Sequence, residues 1–352
     1  MSLPDMPGEV GLACANLAAT LPYFTDVLGF RIEAIFPADE PAVASLSGHG
    51  LRLRLGPGAG GPGALRLPCR ELPPEGRRVL TAPNGARIEW VAADPPVEVP
   101  PLAPQFVLAR AGPEGPSGPG RAGMIYRDLI PGRQGGRFIA SHIAIPMGGP
   151  VADWVHYHKV RLQMIFCRRG WVRLVYEDQG PPFVLAAGDC VLQPPRIRHQ
   201  VLEASPGLEV VELGSPALHE TLSDHDMALP TGRVLPGRDF DGQVFLRCVA
   251  AETPWTSEPG AGFQRRDTGM IAATRGLADA IVLRPAAARD LSVPPHAAEL
   301  MFGFVLEGAA VLRRAAHDYP LAPADAFVIP PGEPWSLAHA SPDLALLRVT
   351  VG

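Results

Sequence analysis

Two histidines, His156 and His158, stand two residues apart in the apolar segment HYHKVRLQMIFCRRG, residues 156–170. Neighbours at i and i+2 of a β-strand point to the same face, so both imidazoles would enter the same space. Either they share a metal ion, or they are two polar rings that need separate hydrogen-bond partners. The surrounding sequence is needed to decide between these alternatives.

Two motifs surround the pair: GGPVADWVHYHKVRLQMIFCRRG, residues 148–170, and GDCVLQPPRIRH, residues 188–199. They resemble the two motifs of the cupin superfamily, which contain H-x-H-x3,4-E-x6-G and G-x5-P-x-G-x2-H. The residues at the matching positions are His156, His158, Gln163 and Gly170 in the first motif, and Gly188, Pro194 and His199 in the second. Two residues depart from the pattern, because Gln163 replaces the usual glutamate and Arg196 replaces the turn glycine.

In cupins with these residues, three histidines and one carboxylate bind a divalent metal inside the barrel. The resemblance therefore implies one divalent transition metal (Fe, Zn, Mn, Ni or Cu) held by His156, His158, Gln163 and His199. Imidazole is a suitable ligand for such metals, which agrees with this expectation independently. The alternative is that the histidines line a polar pocket without a metal.

Gln163 limits the chemistry of such a site. Its amide is neutral and cannot act as a general base, so the metal itself would be the Lewis acid or the oxygen-activating group. We therefore predict a metal-dependent enzyme, a dioxygenase that acts on a small oxygenated or aromatic compound. A Zn- or Mn-dependent isomerase, cyclase or lyase, and a non-catalytic metal- or small-molecule-binding protein, stay open as alternatives.

The segments around this site form an internal repeat. Residues 127–214 and 266–351 align, with Gly170 opposite Gly308 and Asp189 opposite Asp325. Such a repeat predicts two small β barrels or sandwiches in tandem. At the four ligand positions the second repeat has Pro294, His296, Met301 and Trp335. One imidazole with Met and Trp does not form a metal-ligand set, so we expect a structural barrel in which Trp335 fills the pocket.

The N-terminal segment is organised differently. Residues 15–30 have helical periodicity, with Asn16 as the N-cap and Gly29 as the end, and apolar strands flank them. This βαβββ pattern over residues 7–92 resembles one module of the vicinal oxygen chelate (glyoxalase/bleomycin-resistance) superfamily. The ligand positions of that family are taken here by Glu9 and Glu89, with His49 as a further candidate. Whether these three residues form a second metal site is left open by the sequence.

Together these observations predict a mainly β chain, with two tandem cupin (double-stranded β-helix or jelly-roll) barrels after a βαβββ α+β module. The expected domains are residues 1–95 for the module, 96–120 for a Pro/Gly-rich linker, 121–230 for the first barrel with the metal site, 231–262 for a second linker, and 263–352 for the degenerate second barrel.

Composition sets further limits on function. The net charge of -5 and the lack of a basic run argue against nucleic-acid binding, and no apolar stretch is as long as a membrane helix. Five cysteines without a CxxC pair, and an N-terminus without signal-peptide features, predict a reduced cytoplasmic chain. We expect a small-molecule substrate or ligand, no nucleic-acid or membrane partner, and a homodimer.

Other polar residues near the first motif have two possible roles each. Cys167 could face the cavity, but a small core residue is the more frequent role. Arg198 could pair with an anionic substrate or lie on the rim. His219 and His225 could form a second metal or pH-sensitive cluster, although loop positions are the simpler expectation.

Overall fold

The structure is a computed structural model, and its described residues form two compact units. One comprises residues 1–98, 154–159 and 218–226, and the other comprises 99–153, 160–217 and 227–352. The described residues are 8–14, 16–27, 29–48, 51–58, 64–81, 87–112, 117–119, 123–258, 262–287 and 289–352. No helix among them is long and apolar enough to cross a membrane.

The first unit is built around one mixed sheet. Its strands are β1 (Glu9–Ala13), β2 (Arg31–Phe36), β3 (Val43–Gly48), β4 (Leu51–Gly56), β5 (Ala64–Cys69), β6 (Val79–Thr81), β7 (Arg87–Ala92), β13 (His156–His158) and β20 (Thr221–Ser223). They follow the order β13-β20-β2-β3-β4-β1-β5-β7-β6. Strand β1 pairs in parallel with β4. Along the chain, β1 is followed by a helix and then by β2, β3 and β4 before β5 begins.

The helix of this unit begins where the sequence predicted. Asn16 caps α1 (Leu17–Pro22), since its Oδ1 accepts a hydrogen bond from the Ala19 amide at 3.0 Å. A π-helical turn, Tyr23–Val27, continues α1. Gly29 then adopts a φ of +75° that few other residues tolerate, and this ends the helical segment. A short 3-10 helix, Glu75–Arg77, follows later.

The first barrel of the second unit has two antiparallel sheets. Its strands are β9 (Ser117–Pro119), β10 (Ile125–Asp128), β11 (Ile139–Ile145), β12 (Gly149–Pro150), β14 (Leu162–Arg169), β15 (Trp171–Tyr176), β16 (Phe183–Ala186), β17 (Cys190–Leu192), β18 (His199–Ala204), β19 (Leu208–Ser215) and β23 (Leu246–Cys248). One sheet follows the order β23-β17-β14-β19-β11-β10-β9, and β16-β15-β18 lie in the other. A hairpin of β21 (Asp239–Phe240) and β22 (Gln243–Val244) precedes β23.

The second barrel repeats this arrangement. Its strands are β8 (Val107–Ala109), β24 (Trp255–Ser257), β25 (Phe263–Asp267), β26 (Ala278–Pro285), β27 (Leu291–Val293), β28 (Leu300–Glu307), β29 (Ala310–Arg314), β30 (His317–Leu321), β31 (Ala326–Ile329), β32 (Trp335–Ala338) and β33 (Ala345–Val351). The sheet orders are β24-β25-β26-β33-β28-β31-β8 and β27-β32-β29-β30. Two short helical segments also belong to this part of the chain, the 3-10 helix Ala250–Glu252 and α2, Met270–Ala273.

The Pro/Gly-rich segments expected as linkers contribute strands. From the first, β8 pairs with β31 of the second barrel. From the second, β23 pairs with β17 of the first barrel and β24 pairs with β25 of the second. One buried apolar cluster contains residues of both barrels, including Phe166 on β14 and Phe302 on β28. These segments therefore bind the two barrels together rather than separate them.

The residue pairs that defined the repeat have equivalent contacts. Gly170 and Gly308 both have φ near +70°, and a Cβ on either would lie within 2.5 Å of a serine Oγ, that of Ser205 or Ser341. Those two serines accept backbone N–H bonds from Trp171 at 2.9 Å and Ala309 at 2.8 Å. The sequence alignment of the two repeats is therefore confirmed at the level of individual turns.

Candidate metal centre

His156 and His158 lie at the two ends of strand β13. Both imidazoles are buried, and Tyr157 between them is half-buried, as the two-residue period of a strand requires. The ring centroids are 5.3 Å apart and the rings are nearly perpendicular. The two histidines therefore share one face of the strand, as their spacing predicted.

A third imidazole lies close to this pair. His199 begins β18, and one ligand atom from each of His156, His158 and His199 lies within 4.8 Å of the other two. Among the described residues no other group of three His, Cys, Asp or Glu side chains comes this close together. That these three imidazoles hold a metal stays a prediction, but their separation allows one ion to bind all three.

The hydrogen bonds of the three rings determine which nitrogen a metal would meet. His156 Nδ1 lies 2.8 Å from the Trp154 carbonyl oxygen, and His199 Nδ1 lies 3.0 Å from the Ile197 carbonyl oxygen. A carbonyl can only accept, so each Nδ1 carries the proton and leaves the Nε2 lone pair for a metal. His158 Nδ1 lies 3.4 Å from Thr221 Oγ1, a longer contact with a buried hydroxyl. Metal-binding histidines are commonly fixed in this way.

Gln163, the fourth predicted ligand, is buried on β14 and has a carboxylate partner. Its Nε2 donates a hydrogen bond to Glu212 Oε1 on β19. Because a carboxylate only accepts, this bond assigns the amide nitrogen to Glu212 and leaves Oε1 as the atom that could bind a metal. That Gln163 binds a metal stays a prediction.

Sequence analysis did not identify Glu212 or Thr221 as part of the site. Glu212 is one of two charged residues, with Glu209, in the otherwise apolar strand LEVVELGS, and a charge in such a strand is a usable signal. Thr221 gave no comparable signal, because a threonine in a short strand is ordinary. Both residues act on the site by hydrogen bonds to predicted ligands.

An aromatic ring packs against His199. Tyr176 on β15 is fully buried and stacks on the imidazole, with centroids 5.5 Å apart and an interplanar angle of 25°. Burial raises the pKa of the Tyr176 phenol well above its usual range, so the ring is neutral. Its hydroxyl has no hydrogen-bond partner among the described residues. This stacking restricts rotation of the His199 ring.

The other polar residues considered near the first motif have different surroundings in the structure. Cys167 belongs to the apolar core, and burial raises the pKa of its thiol to about 12, so it is a core residue. The half-buried Arg198 donates to the Arg196 carbonyl. The ring of His219 lies 5.4 Å from that of His158, whereas His225 is exposed and contacts the Ile32 carbonyl. Within the described chain, His219 and His225 therefore do not form a metal cluster of their own.

The N-terminal candidates are engaged with a cation. Arg66 lies 3.8 Å from Glu9 Oε2 and 3.9 Å from Glu89 Oε2. His49 lies outside the described residues. Nearby, burial and the charge of Arg66 lower the pKa of Arg54. Glu9 and Glu89 thus belong to a cluster of opposite charges, and among the described residues neither is part of a group of three metal-ligand side chains.

The chain is similar in fold to several solved structures. No protein-family model matches the chain, and the search of curated proteins gave no match. Among solved structures, an oxalate decarboxylase formate complex from Lactobacillus farciminis is 12% identical with a TM-score of 0.50, covering 72% of this chain and 89% of that one. A salicylate 1,2-dioxygenase from Pseudaminobacter salicylatoxidans is 17% identical with a TM-score of 0.47, covering 61% and 71%. Protein Ylba from E. coli is 12% identical with a TM-score of 0.49, covering 70% and 90%.

The likeness to the oxalate decarboxylase is one of fold, and the predicted fold class is confirmed. The chain is mainly β, with two cupin jelly-roll barrels in tandem. Identities this low establish the fold and leave the reaction to the residues of the site. The relation of the N-terminal unit to the vicinal oxygen chelate superfamily stays a prediction.

Proposed function

We propose that this protein is a metal-dependent dioxygenase that acts on a small oxygenated or aromatic compound. Its metal ligands would be His156, His158, His199 and Gln163. The observation that carries the proposal is the group of three buried imidazoles whose ligand atoms lie within 4.8 Å of one another. Nitrogen ligands of this kind suit Fe, Ni, Cu and Zn, and the amide oxygen of Gln163 is a ligand type that also suits Mn.

The residues present fit such a metal. The Nδ1 contacts of His156 and His199 to carbonyl oxygens direct both Nε2 lone pairs away from the backbone. The bond from Gln163 to Glu212 holds the amide in one orientation. When bound, the metal would supply Lewis-acid or oxygen-activating chemistry.

The charge of this ligand set favours one class of substrate. Three neutral imidazoles and a neutral amide do not cancel the charge of a divalent ion, so an anionic chelating group would bind well. The enolate of a 1,3-diketone, or a catecholate, has that charge and two oxygen atoms. Gln163 cannot take a proton from the substrate, which favours substrates that ionise readily.

Elemental analysis tests the metal site directly. The protein, purified without a metal-affinity column, is compared with His158→Ala and His199→Ala, and with His317→Ala as a matched control on an exposed residue of the second barrel. We expect about one transition-metal ion per chain in the wild type and in His317→Ala. Most of the metal should be lost in His158→Ala and in His199→Ala. An equal metal content in all four would refute the site.

Oxygen uptake separates the catalytic alternatives. The metal-loaded protein is supplied with catechol or pentane-2,4-dione in an oxygen electrode. Uptake that needs both the metal and His199 supports a dioxygenase. A zinc-loaded protein without uptake supports the isomerase, cyclase or lyase alternative. A protein without bound metal, and without oxygen uptake when metal is added, would make the non-catalytic binding protein the leading alternative.

A further inference from the structure

Two cysteines lie opposite each other on paired strands of the first barrel. Cys190 begins β17 and Cys248 ends β23, and the antiparallel register of these strands sets the two residues directly against each other as free thiols. Opposite residues of antiparallel strands have Cα atoms about 4.5–5.5 Å apart and side chains on the same face. A disulfide needs Cα atoms about 4.4–6.8 Å apart, so the backbone already meets this requirement. Among the strand pairings of the described residues, no other two cysteines stand opposite each other.

The connecting strands β23 and β8 occupy equivalent places in the two barrels. Strand β23 pairs with β17 of the first barrel, and β8 pairs with β31 of the second. Asp189 Oδ1 accepts a hydrogen bond from the Ala250 amide at 2.8 Å, and Asp325 Oδ1 accepts one from the Ala111 amide at 2.7 Å. The two aspartates are a matched pair of the internal repeat. Residues on the two connecting strands can therefore be compared position by position.

The second barrel has alanines at the positions of the two cysteines. Ala326 corresponds to Cys190 and Ala109 to Cys248, and the two alanines also lie opposite each other. The shared fold thus accepts two methyl groups at this place, where the first barrel has two thiols. Packing alone does not call for sulfur here, so the chemistry of the thiols is the feature that needs a reason.

The surroundings of the two sulfur atoms make Cys248 the more reactive one. Thr253 Oγ1 lies 3.3 Å from Cys248 Sγ. A hydrogen bond from Cys190, assisted by the positive charge of Arg266, lowers the pKa of the Cys248 thiol to about 6 against the effect of burial. The same bond raises the pKa of Cys190 well above its usual range. At pH 7 the pair therefore holds a thiolate next to a thiol, and the thiolate is the nucleophilic form of cysteine.

Cys248 is also the more accessible of the two residues. It is 6% exposed, whereas Cys190 is fully buried. Its strand, β23, has three residues and lies at the edge of the sheet. Short edge strands open locally with free energies well below that of global unfolding. Local opening of β23 would admit a small oxidant to Cys248 while Cys190 stays in place on β17.

We propose that Cys190 and Cys248 are a reversible redox site that closes to a disulfide, with hydrogen peroxide as the oxidant. The Cys248 thiolate attacks one peroxide oxygen, the O–O bond breaks, hydroxide leaves, and Cys248 becomes a sulfenic acid. The Cys190 sulfur then displaces the hydroxyl group, which leaves as water with the thiol proton, and the S–S bond forms. The two cysteines lose two electrons in total, and one peroxide is reduced to two oxygen atoms at the level of water. This inference does not depend on the proposed metal centre.

Thiol counting and peptide mapping test the proposal on the folded full chain, kept in EDTA so that no free metal decomposes the peroxide. The untreated chain should show five thiols when it is denatured for counting. Hydrogen peroxide should lower this count to three. A tryptic digest should then contain residues 174–196, which include Cys190, linked to residues 248–265, which begin with Cys248. Dithiothreitol should restore five thiols.

Three variants complete the experiment. Cys248→Ala and Cys190→Ala copy the alanines of the second barrel, so both should fold. Cys248→Ala should keep its four thiols under the same treatment, and Cys190→Ala should give no linked peptides. Cys167→Ala, which removes another buried thiol of the first barrel, is the matched control and should fall from four thiols to two. The proposal is overturned if the folded wild type keeps five thiols, or if thiols are lost without the linked pair of peptides.

Discussion

Reversing the hydrogen bond between Gln163 and Glu212 gives the sharpest test of how the candidate centre is held together. The amide nitrogen of Gln163 donates to Glu212 Oε1, and both residues lie on neighbouring antiparallel strands. Gln163→Glu restores the carboxylate usual in cupins, but it sets two carboxylates against each other. The double variant, Gln163→Glu with Glu212→Gln, restores a hydrogen-bond donor, which now lies on β19 instead of β14.

The expected energies follow from this geometry. A hydrogen bond to a charged group contributes about 1.5–3 kcal/mol, and two like charges about 4 Å apart repel by about 4 kcal/mol at an effective dielectric of 20. After relaxation, Gln163→Glu should lower the free energy of unfolding by about 2–4 kcal/mol at pH 7. Glu212→Gln alone replaces a charged bond by a neutral one and should cost about 1 kcal/mol. The free energy of unfolding of the double variant should lie within about 1 kcal/mol of the wild-type value.

Urea unfolding of the four metal-free proteins measures this cycle. We expect a favourable coupling of about 2 kcal/mol or more between the two substitutions. The double variant should also bind divalent metal more tightly than the wild type, because its carboxylate stands at the ligand position. Additive effects, with Gln163→Glu as stable as the wild type, would refute the hydrogen bond and the assigned amide orientation.

Three further outcomes follow from single contacts. Thr221→Val removes the hydroxyl that lies 3.4 Å from His158 Nδ1. It should weaken metal affinity about tenfold in a competition titration, with little change in the free energy of unfolding. An unchanged affinity would show that this contact does not orient the His158 ring. Burial raises the pKa of Asp279 in the folded protein. The folded state therefore disfavours the charged carboxylate, and the free energy of unfolding falls as the pH rises and Asp279 ionises. Asp279→Asn should therefore raise the free energy of unfolding at pH 7 by about 1 kcal/mol or less after solvent screening, and the gain should shrink as the pH falls towards 4. Arg196 has a φ of +64°, so Arg196→Gly should stabilise the chain by up to about 1 kcal/mol in urea unfolding, and a loss of stability would contradict the strain.

The repeat was predictable because its turns have strict local requirements. Asp189 Oδ2 accepts from the Ala186 amide, and Asp325 Oδ2 accepts from the Ala322 amide, each at 3.0 Å. A short aspartate side chain at a fixed offset makes such a bond in any context, so the sequence alone reveals it. The histidine pair was predictable for the same reason, since the strand period depends on neighbouring residues only.

Partners that are distant in sequence were not predictable. Glu212 reaches Gln163 only because β14 and β19 pair, with Gln163 opposite Gly214 and Ile165 opposite Glu212. Register of this kind depends on packing across the whole sheet. The strands in the Pro/Gly-rich segments were missed because their sequence favours extended linkers, and the open edges β31 and β17 that they complete appear only in the assembled sheets.

The two barrels also show that the turns and the inward-facing site residues can vary separately. Arg196 and Gly332 follow the paired prolines of each repeat, and both have positive φ, so the turn keeps its geometry whether or not it holds a glycine. The neighbouring inward position holds His199 in one barrel and Trp335 in the other. The turn fixes where the side chain enters the cavity, and the side chain then decides what the cavity can bind. We therefore expect Trp335→Phe, a substitution in the second barrel, to leave the metal content of the first barrel intact, as elemental analysis would measure. Loss of the metal in Trp335→Phe would show that the two cavities act as one site.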